Sequence, residues 1–298
     1  MKKQLMIPLL AAPWGAAAFL LRLWQNRTGF EPDTGLPIPG APAGMVLLAA
    51  LLVWAVCLGV LVFRLPQEGP PALPRDFPLP DARLLALPVA GVLLMALSGL
   101  ADLYEGLGMG NLLARLQSSA DPYGAAVLPE AGLDSRPQLL LGVLALVSAG
   151  AAFSAMAACR GERRDQETYP AAVLLLVPPV ALVVRLVLIY RLDSVNPALG
   201  AYYVELLALV FLTLAFYRLS SFAFQAGRTR RFALYAGAAI VLSLAALADG
   251  GPHLSSPLLY GGCSLYLLGV LALRLSGPVV PVPEEPEEEN GGEEAALS

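Results

Sequence analysis

Met45-Val46-Leu47-Leu48-Ala49-Ala50-Leu51-Leu52-Val53-Trp54-Ala55-Val56-Cys57-Leu58-Gly59-Val60-Leu61-Val62-Phe63 runs for nineteen residues without a charge or a proline. About 20 such residues, with ~17–25 tolerated, cross the hydrocarbon core as an α-helix. The run is continuously apolar, whereas barrel strands alternate over about ten residues. Seven further stretches of the same kind follow from the pattern: Leu5–Trp24, Leu84–Leu100, Leu139–Ala158, Ala171–Tyr190, Ala201–Phe222, Phe232–Ala248 and Leu258–Leu275. The third and seventh spans in chain order are the shortest. The expected fold is an all-α, polytopic transmembrane bundle of eight helices occupying residues 1–276, with an acidic, disordered cytoplasmic tail over 277–298.

Composition agrees. Only 14% of the 298 residues are charged and 57% are hydrophobic, while a soluble domain carries about 25% charge. The net charge of −4 is local in origin. Seven of the 14 Glu residues lie between Glu284 and Glu294, and without them the chain is slightly basic. Nothing in that balance points to nucleic acid. Lys2 and Lys3 before an apolar run resemble a signal peptide, but the run continues past Ala16–Ala18 to Trp24. A signal h-region is only ~7–15 residues, so the expectation is an uncleaved first span.

Orientation follows from Lys and Arg. With the N-terminus in the cytoplasm, the inner side holds Lys2, Lys3, Arg64, Arg75, Arg83, Arg160, Arg163, Arg164, Arg218, Arg228, Arg230, Arg231 and Arg274, thirteen in all. The outer side holds five, Arg22, Arg27, Arg115, Arg136 and Arg191, and Arg185 lies within a span. Both termini are therefore expected inside. Two connectors are long. The inner Pro66–Asp81 is Pro-rich and reads as extended. The outer Ala101–Arg136 contains a short amphipathic stretch, Asn111–Gln117.

Arg185 and Glu205 are ionisable residues inside spans, where a charge costs ~2.5–3.5 kcal/mol at the bilayer centre and less near its edge. At 1.5 Å per residue both sit about 6–8 Å below the outer interface, on spans joined by a short turn. Two readings compete: an ion pair stapling the hairpin, or the lining of an outward-facing pocket in which Arg185 receives an anionic group. Tyr202, Tyr203, Tyr190, Asp102, Tyr104, Glu105, Asp249 and His253 lie at the same depth or above. The candidate ligand-binding set is thus Arg185, Glu205, Tyr202, Tyr104, Glu105, Asp102 and His253. Pro178-Pro179 in mid-span five removes two N–H donors and is expected to bend the helix there. Small residues at four-residue spacing (Ala11/Gly15, Ser148/Ala152, Ala151/Ala155, Ala233/Gly237) favour close helix approach.

Other motifs fail. Gly106-Leu107-Gly108-Met109-Gly110 lacks a preceding strand and a Lys-Ser/Thr. One His and three scattered Cys (Cys57, Cys159, Cys263) offer no metal-binding or disulfide spacing. No catalytic residue, metal or cofactor is indicated. Tyr190-Arg191, Asn196-Pro197 and Tyr202-Tyr203-Val204-Glu205-Leu206-Leu207-Ala208, continuing to Tyr217, Phe222-Ala223-Phe224 and Arg230-Arg231, resemble a pattern in uncharacterised polytopic membrane proteins of anaerobic Gram-positive bacteria. The resemblance implies a bacterial inner-membrane protein and carries no function. The expected activity is non-enzymatic: a sensor, accessory or ligand-binding membrane subunit whose partners are the lipid bilayer and a small outer-side ligand. A small-solute transporter using the bent fifth span is the second expectation. A membrane enzyme acting on lipid-type substrates is the third.

Overall fold

The computed structural model of the chain describes residues 5–31, 36–77, 82–108, 135–160, 170–193, 199–249 and 254–280. Eight long helices carry it: α1 (Met6–Thr28), α2 (Pro42–Phe63), α3 (Ala82–Gly106), α4 (Ser135–Arg160), α5 (Val177–Asp193), α6 (Leu199–Ala223), α7 (Thr229–Ala246) and α8 (Ser255–Ser276). Among the described residues there is no strand, only a single bridge between Phe30 and Pro37. All eight helical segments are long and apolar enough to cross a membrane, so the chain is a multi-pass, all-α bundle.

Six helices close into a ring. In spatial order, α8 packs on α3, α3 on α4, α4 on α5, α5 on α6, α6 on α7, and α7 back on α8. Helices α1 and α2 lie outside this ring against α7. Burial follows the arrangement. The apolar stretch of α2 is only 22% buried, and that of α8 is 78% buried. Lipid tails are as apolar as Leu, so the helix that is apolar on every face gains nothing from burial and stays outermost. Val46, Leu48, Leu52, Val53, Val56 and Val60 of α2 all face outward. By contrast α8 carries Tyr260, Tyr266 and Arg274, whose polar atoms meet acceptors on other elements.

Close backbone approach builds two of the ring's seams. A Cβ on Gly91 of α3 would lie 2.5 Å from the Tyr266 nitrogen of α8, and one on Gly262 of α8 would lie 2.8 Å from the Met95 nitrogen. On the other flank, a Cβ on Gly99 of α3 or on Gly142 of α4 would lie 2.9 Å from the other's carbonyl oxygen. These pairs were not among the small-residue spacings read from the sequence. Two that were do make contacts: Gly15 packs against Leu244 and Gly237 against Leu58, and the Trp54 indole donates to the Gly237 carbonyl at 3.2 Å.

Aromatic side chains fill the middle of the ring. Phe216 of α6 stacks on Tyr266 of α8, with centroids 5.7 Å apart and planes 4° from parallel. The Tyr266 hydroxyl reaches across to the Ala152 carbonyl of α4 at 3.4 Å. This plug divides the interior into two halves. The far half lies where α1, α3, α5 and α7 end and α8 begins. The near half lies where α6 and α8 end and α7 begins.

Two local expectations are revised. Span five is not one helix bent at its centre: Ala172–Leu176 form a 3₁₀ turn and α5 starts afresh at Val177. Pro178 and Pro179 then fall in a first helical turn, where a missing N–H is no loss because no intrahelical acceptor awaits it. The inner connector, in its described part up to Phe77, is a buried strap across the near face. Leu73 and Phe77 are fully enclosed, the Leu73 amide donates to the Phe222 carbonyl at 3.0 Å, and Phe77, Phe222 and Phe232 meet edge to face. The Glu68 carboxylate accepts from Arg274 and from Thr229. Apolar side chains at Leu73 and Phe77 drove this; the prolines only set its backbone. Asn111–Gln117 and residues 281–298 lie outside the described residues.

Candidate functional site

Arg185, on the last turns of α5, points into the ring and is 5% exposed. Its Nη1 donates to Asp102 Oδ2 of α3 at 3.2 Å, and its Nη2 donates to Ser256 Oγ of α8 at 2.8 Å. Three helices are thereby joined by one guanidinium. Asp102 reaches it because α3 continues in helical form to Gly106, past the expected end at Leu100. One turn earlier on α3, the Ser98 hydroxyl donates to the Ser255 carbonyl at 2.7 Å. The first residues of α8 are thus held against α3, where the positive end of the helix dipole faces Asp102.

A second acid sits across the chamber. Tyr260 lies one turn beyond Ser256 on the same face of α8, and its hydroxyl donates to Glu205 Oε1 of α6 at 2.6 Å. Cys263 follows on that face, buried. The bonds of Arg185 run to α3 and α8 and not across the hairpin to Glu205. Counting residues along the two spans puts them at one expected depth. Which way each faces is a matter of helix rotation, which depth does not fix. Tyr260 stands between them, within the field of both.

Beneath Arg185 is a cavity of about 20 Å³, enough for one water molecule. Its walls include Met95 of α3, Ser148 of α4, Pro178 and Leu182 of α5, Phe216 of α6 and Cys263 of α8. Arg185 forms its upper wall, and the buried Arg185 Nε has no hydrogen-bond partner among the described residues. Ser148 spends its proton on the Leu144 carbonyl at 2.6 Å, which leaves its oxygen as an acceptor toward the space.

The remaining predicted residues divide. Glu105, one turn on from Asp102, is half-buried. Tyr104 lies on the outward side of α3, 46% exposed, and does not join the chamber. Tyr190 is likewise exposed. The Tyr202 side chain and His253 lie outside the described residues. Pro178 lines the cavity.

A neighbouring cluster escaped the sequence reading. Arg22, counted with the outer-side charges at the end of the first span, is on α1 and fully buried. Its Nε donates to Asp249 Oδ1 at 2.5 Å and its Nη1 to Gln25 Oε1 at 2.8 Å. Asn26 donates to the same Asp249 oxygen at 3.1 Å and to the Ala248 carbonyl at 2.9 Å. The guanidinium also lies over the Tyr203 ring, 5.3 Å from its centre. The signal was present in the spacing. Arg22, Gln25 and Asn26 stand at i, i+3 and i+4, one face of a helix that runs a turn beyond Trp24. Ending the span at the first polar residues hid it.

Among the described residues no group of His, Cys, Asp and Glu is placed to hold a metal ion. The chamber brings together one buried cation, two acids engaged by hydrogen bonds, and apolar walls below. Comparison with family models, with curated proteins and with solved structures gives no match.

Proposed function

We propose that this chain is a non-enzymatic, ligand-binding protein of the bacterial inner membrane, a sensor or accessory subunit whose small ligand enters from the far face. The far face is the outer one on this reading, because thirteen cations fall on the near side against five. The bacterial membrane is favoured by the resemblance of spans five to seven. The observation that carries the reading is Arg185. It is enclosed by four helices, lines the cavity, and has two of its three nitrogens engaged, while Nε has no hydrogen-bond partner among the described residues. A buried donor left without a partner costs about 1–3 kcal/mol, and a ligand oxygen seated there would recover it.

Thermal unfolding of the purified protein against a panel of small solutes bearing carboxylate, phosphate or carbonyl oxygens tests this. A ligand at 100 times its Kd stabilises by about 2.7 kcal/mol and raises Tm in the native chain. The double variant Arg185→Met/Asp102→Leu, which removes both charges together, loses that shift while staying folded. A solute whose shift survives in the double variant binds elsewhere and overturns the assignment, as does a panel with no shift at all.

A transporter is the second reading, favoured by the 3₁₀-to-α junction at Val177, whose Pro178 lines the cavity. Broken helices at mid-membrane carry substrate sites in transporters. This reading requires the Phe216–Tyr266 plug to part. Solute exchange by proteoliposomes that is lost when Phe216 and Tyr266 are locked by paired cysteines would favour it over simple binding.

A further inference from the structure

On the near face, the strap and the turn between α6 and α7 enclose a cleft of about 700 Å³. Its walls are Pro66–Pro70 on one side and Ala226–Arg231 on the other. Its charges are unevenly committed. Glu68 is engaged by Arg274 and Thr229, and Arg230 donates to the Leu65 carbonyl. Arg228 and Arg231 are exposed, and neither guanidinium makes a hydrogen bond or ion pair among the described residues. The cleft therefore presents two open guanidinium groups and no open acid.

The path of the chain beyond α8 leads to this place. The Arg274 Nη1 donates to the Pro278 carbonyl at 3.1 Å, and the Gly69 amide donates to the Val280 carbonyl at 3.0 Å. Gly69 and Pro70 are walls of the cleft, and Pro70 also borders a second cleft of about 610 Å³ lined by Pro278, Val279 and Val280. The chain thus leaves the described structure at the rim of the arginine cleft. Glu284 is four residues further on, a reach of up to ~13 Å for an extended chain. Seven carboxylates follow within Glu284–Glu294. A tether this short gives an effective concentration on the order of millimolar, and Arg offers carboxylates a two-donor fork.

We propose that the acidic segment Glu284–Glu294 docks in the cleft between strap and α6–α7 turn, with its carboxylates on Arg228 and Arg231. It acts as an intramolecular occupant that keeps the cleft from anionic lipid headgroups. The contact is electrostatic and exposed, so salt releases it.

The test uses the full chain in phosphatidylcholine nanodiscs, with Cys57→Ala and a nitroxide on Asn290→Cys, which leaves every Glu in place. The expected spectrum at low salt contains an immobilised component. That component falls at least fivefold in about 0.5 M salt, where the screening length is only a few ångströms. It falls to the same extent at low salt in Arg228→Gln/Arg231→Gln, which spares Arg230 and its bond to the strap. A label that is fully mobile in the native chain at low salt overturns the proposal. So does an immobilised component that the arginine variants leave unchanged. If the label is mobile, and the variants lower retention of phosphatidylglycerol on purification, the cleft belongs to lipid.

Discussion

Arg185 and Asp102 meet as a nearly fully buried pair inside the ring, so their energetics differ from those of a surface pair. Removing one partner strands the other charge in a low-dielectric interior, at about 3–5 kcal/mol; replacing both with apolar side chains is often neutral or better. Asp102→Ala should therefore lower the unfolding temperature in detergent sharply, and Arg185→Met/Asp102→Leu should recover most of the loss. Equal instability in the two variants would mean that the pair's neighbours, not its charges, hold the chamber. The sequence made Arg185, Glu205 and Asp102 stand out, because charges at that depth demand an explanation. It could not say who pairs with whom. Depth comes from counting residues at 1.5 Å each, but partner choice depends on rotation about the helix axis, set by contacts with helices far away in the chain. Arg22 was harder still. Its helix runs beyond the hydrophobic stretch, so a hydropathy boundary cut it off from Gln25, Asn26 and Asp249.

At the scale of the helices, the eight spans were legible to within about a turn and a half, because lipid imposes the same apolar length on each of them. The polar far-face ends of α1 and α3 were not, since a helix closed by buried partners continues through residues that hydropathy assigns to loops. Span five shows the complementary limit. Two adjacent prolines announce a break, but whether the chain bends or restarts depends on what precedes them, and here a 3₁₀ turn does. The seam between α3 and α8 also left no trace in four-residue spacing, because its glycines, Gly91 and Gly262, lie on different helices. Gly91→Ala should force the two backbones apart, since its Cβ would sit 2.5 Å from the Tyr266 nitrogen. Overpacking of this kind costs ~1–3 kcal/mol or more. Gly59→Ala, with open space around its Cβ, serves as the control and should leave thermal unfolding within about 0.5 kcal/mol of native. If the two variants unfold alike, the seam is not a close contact.

For the whole molecule, the ring order was beyond sequence reading. Hydropathy marks which segments cross but not which stand side by side, and α3 and α8 are joined across more than 150 residues of chain. Orientation, in contrast, rests on a sum over many loops and is a whole-molecule property readable before folding. It has a direct check. Leu107, exposed at the far end of α3, should react as Leu107→Cys with a membrane-impermeant maleimide added to intact cells. Gln67→Cys on the strap should react only after the membrane is opened. The reverse pattern would invert the assignment of faces.

The seam between α3 and α8 also sets the order of assembly. The translating ribosome delivers α3 long before α8. Until α8 arrives, Ser98 lacks the Ser255 carbonyl and Arg185 lacks the Ser256 hydroxyl. The strap waits as well, because Glu68 is held by Arg274 near the end of α8. In the interval α3 has α4 to pack on, through Gly99 and Gly142, so a two-helix intermediate can shelter it from lipid. Arrival of α8 then closes the ring, gives Ser98 and Arg185 their remaining partners and fastens the near-face strap in one late event. A chain interrupted before α8 would leave the Ser98 hydroxyl and the Arg185 Nη2 as unmet donors within the bilayer, the kind of signal by which membrane quality control distinguishes unfinished chains from finished ones.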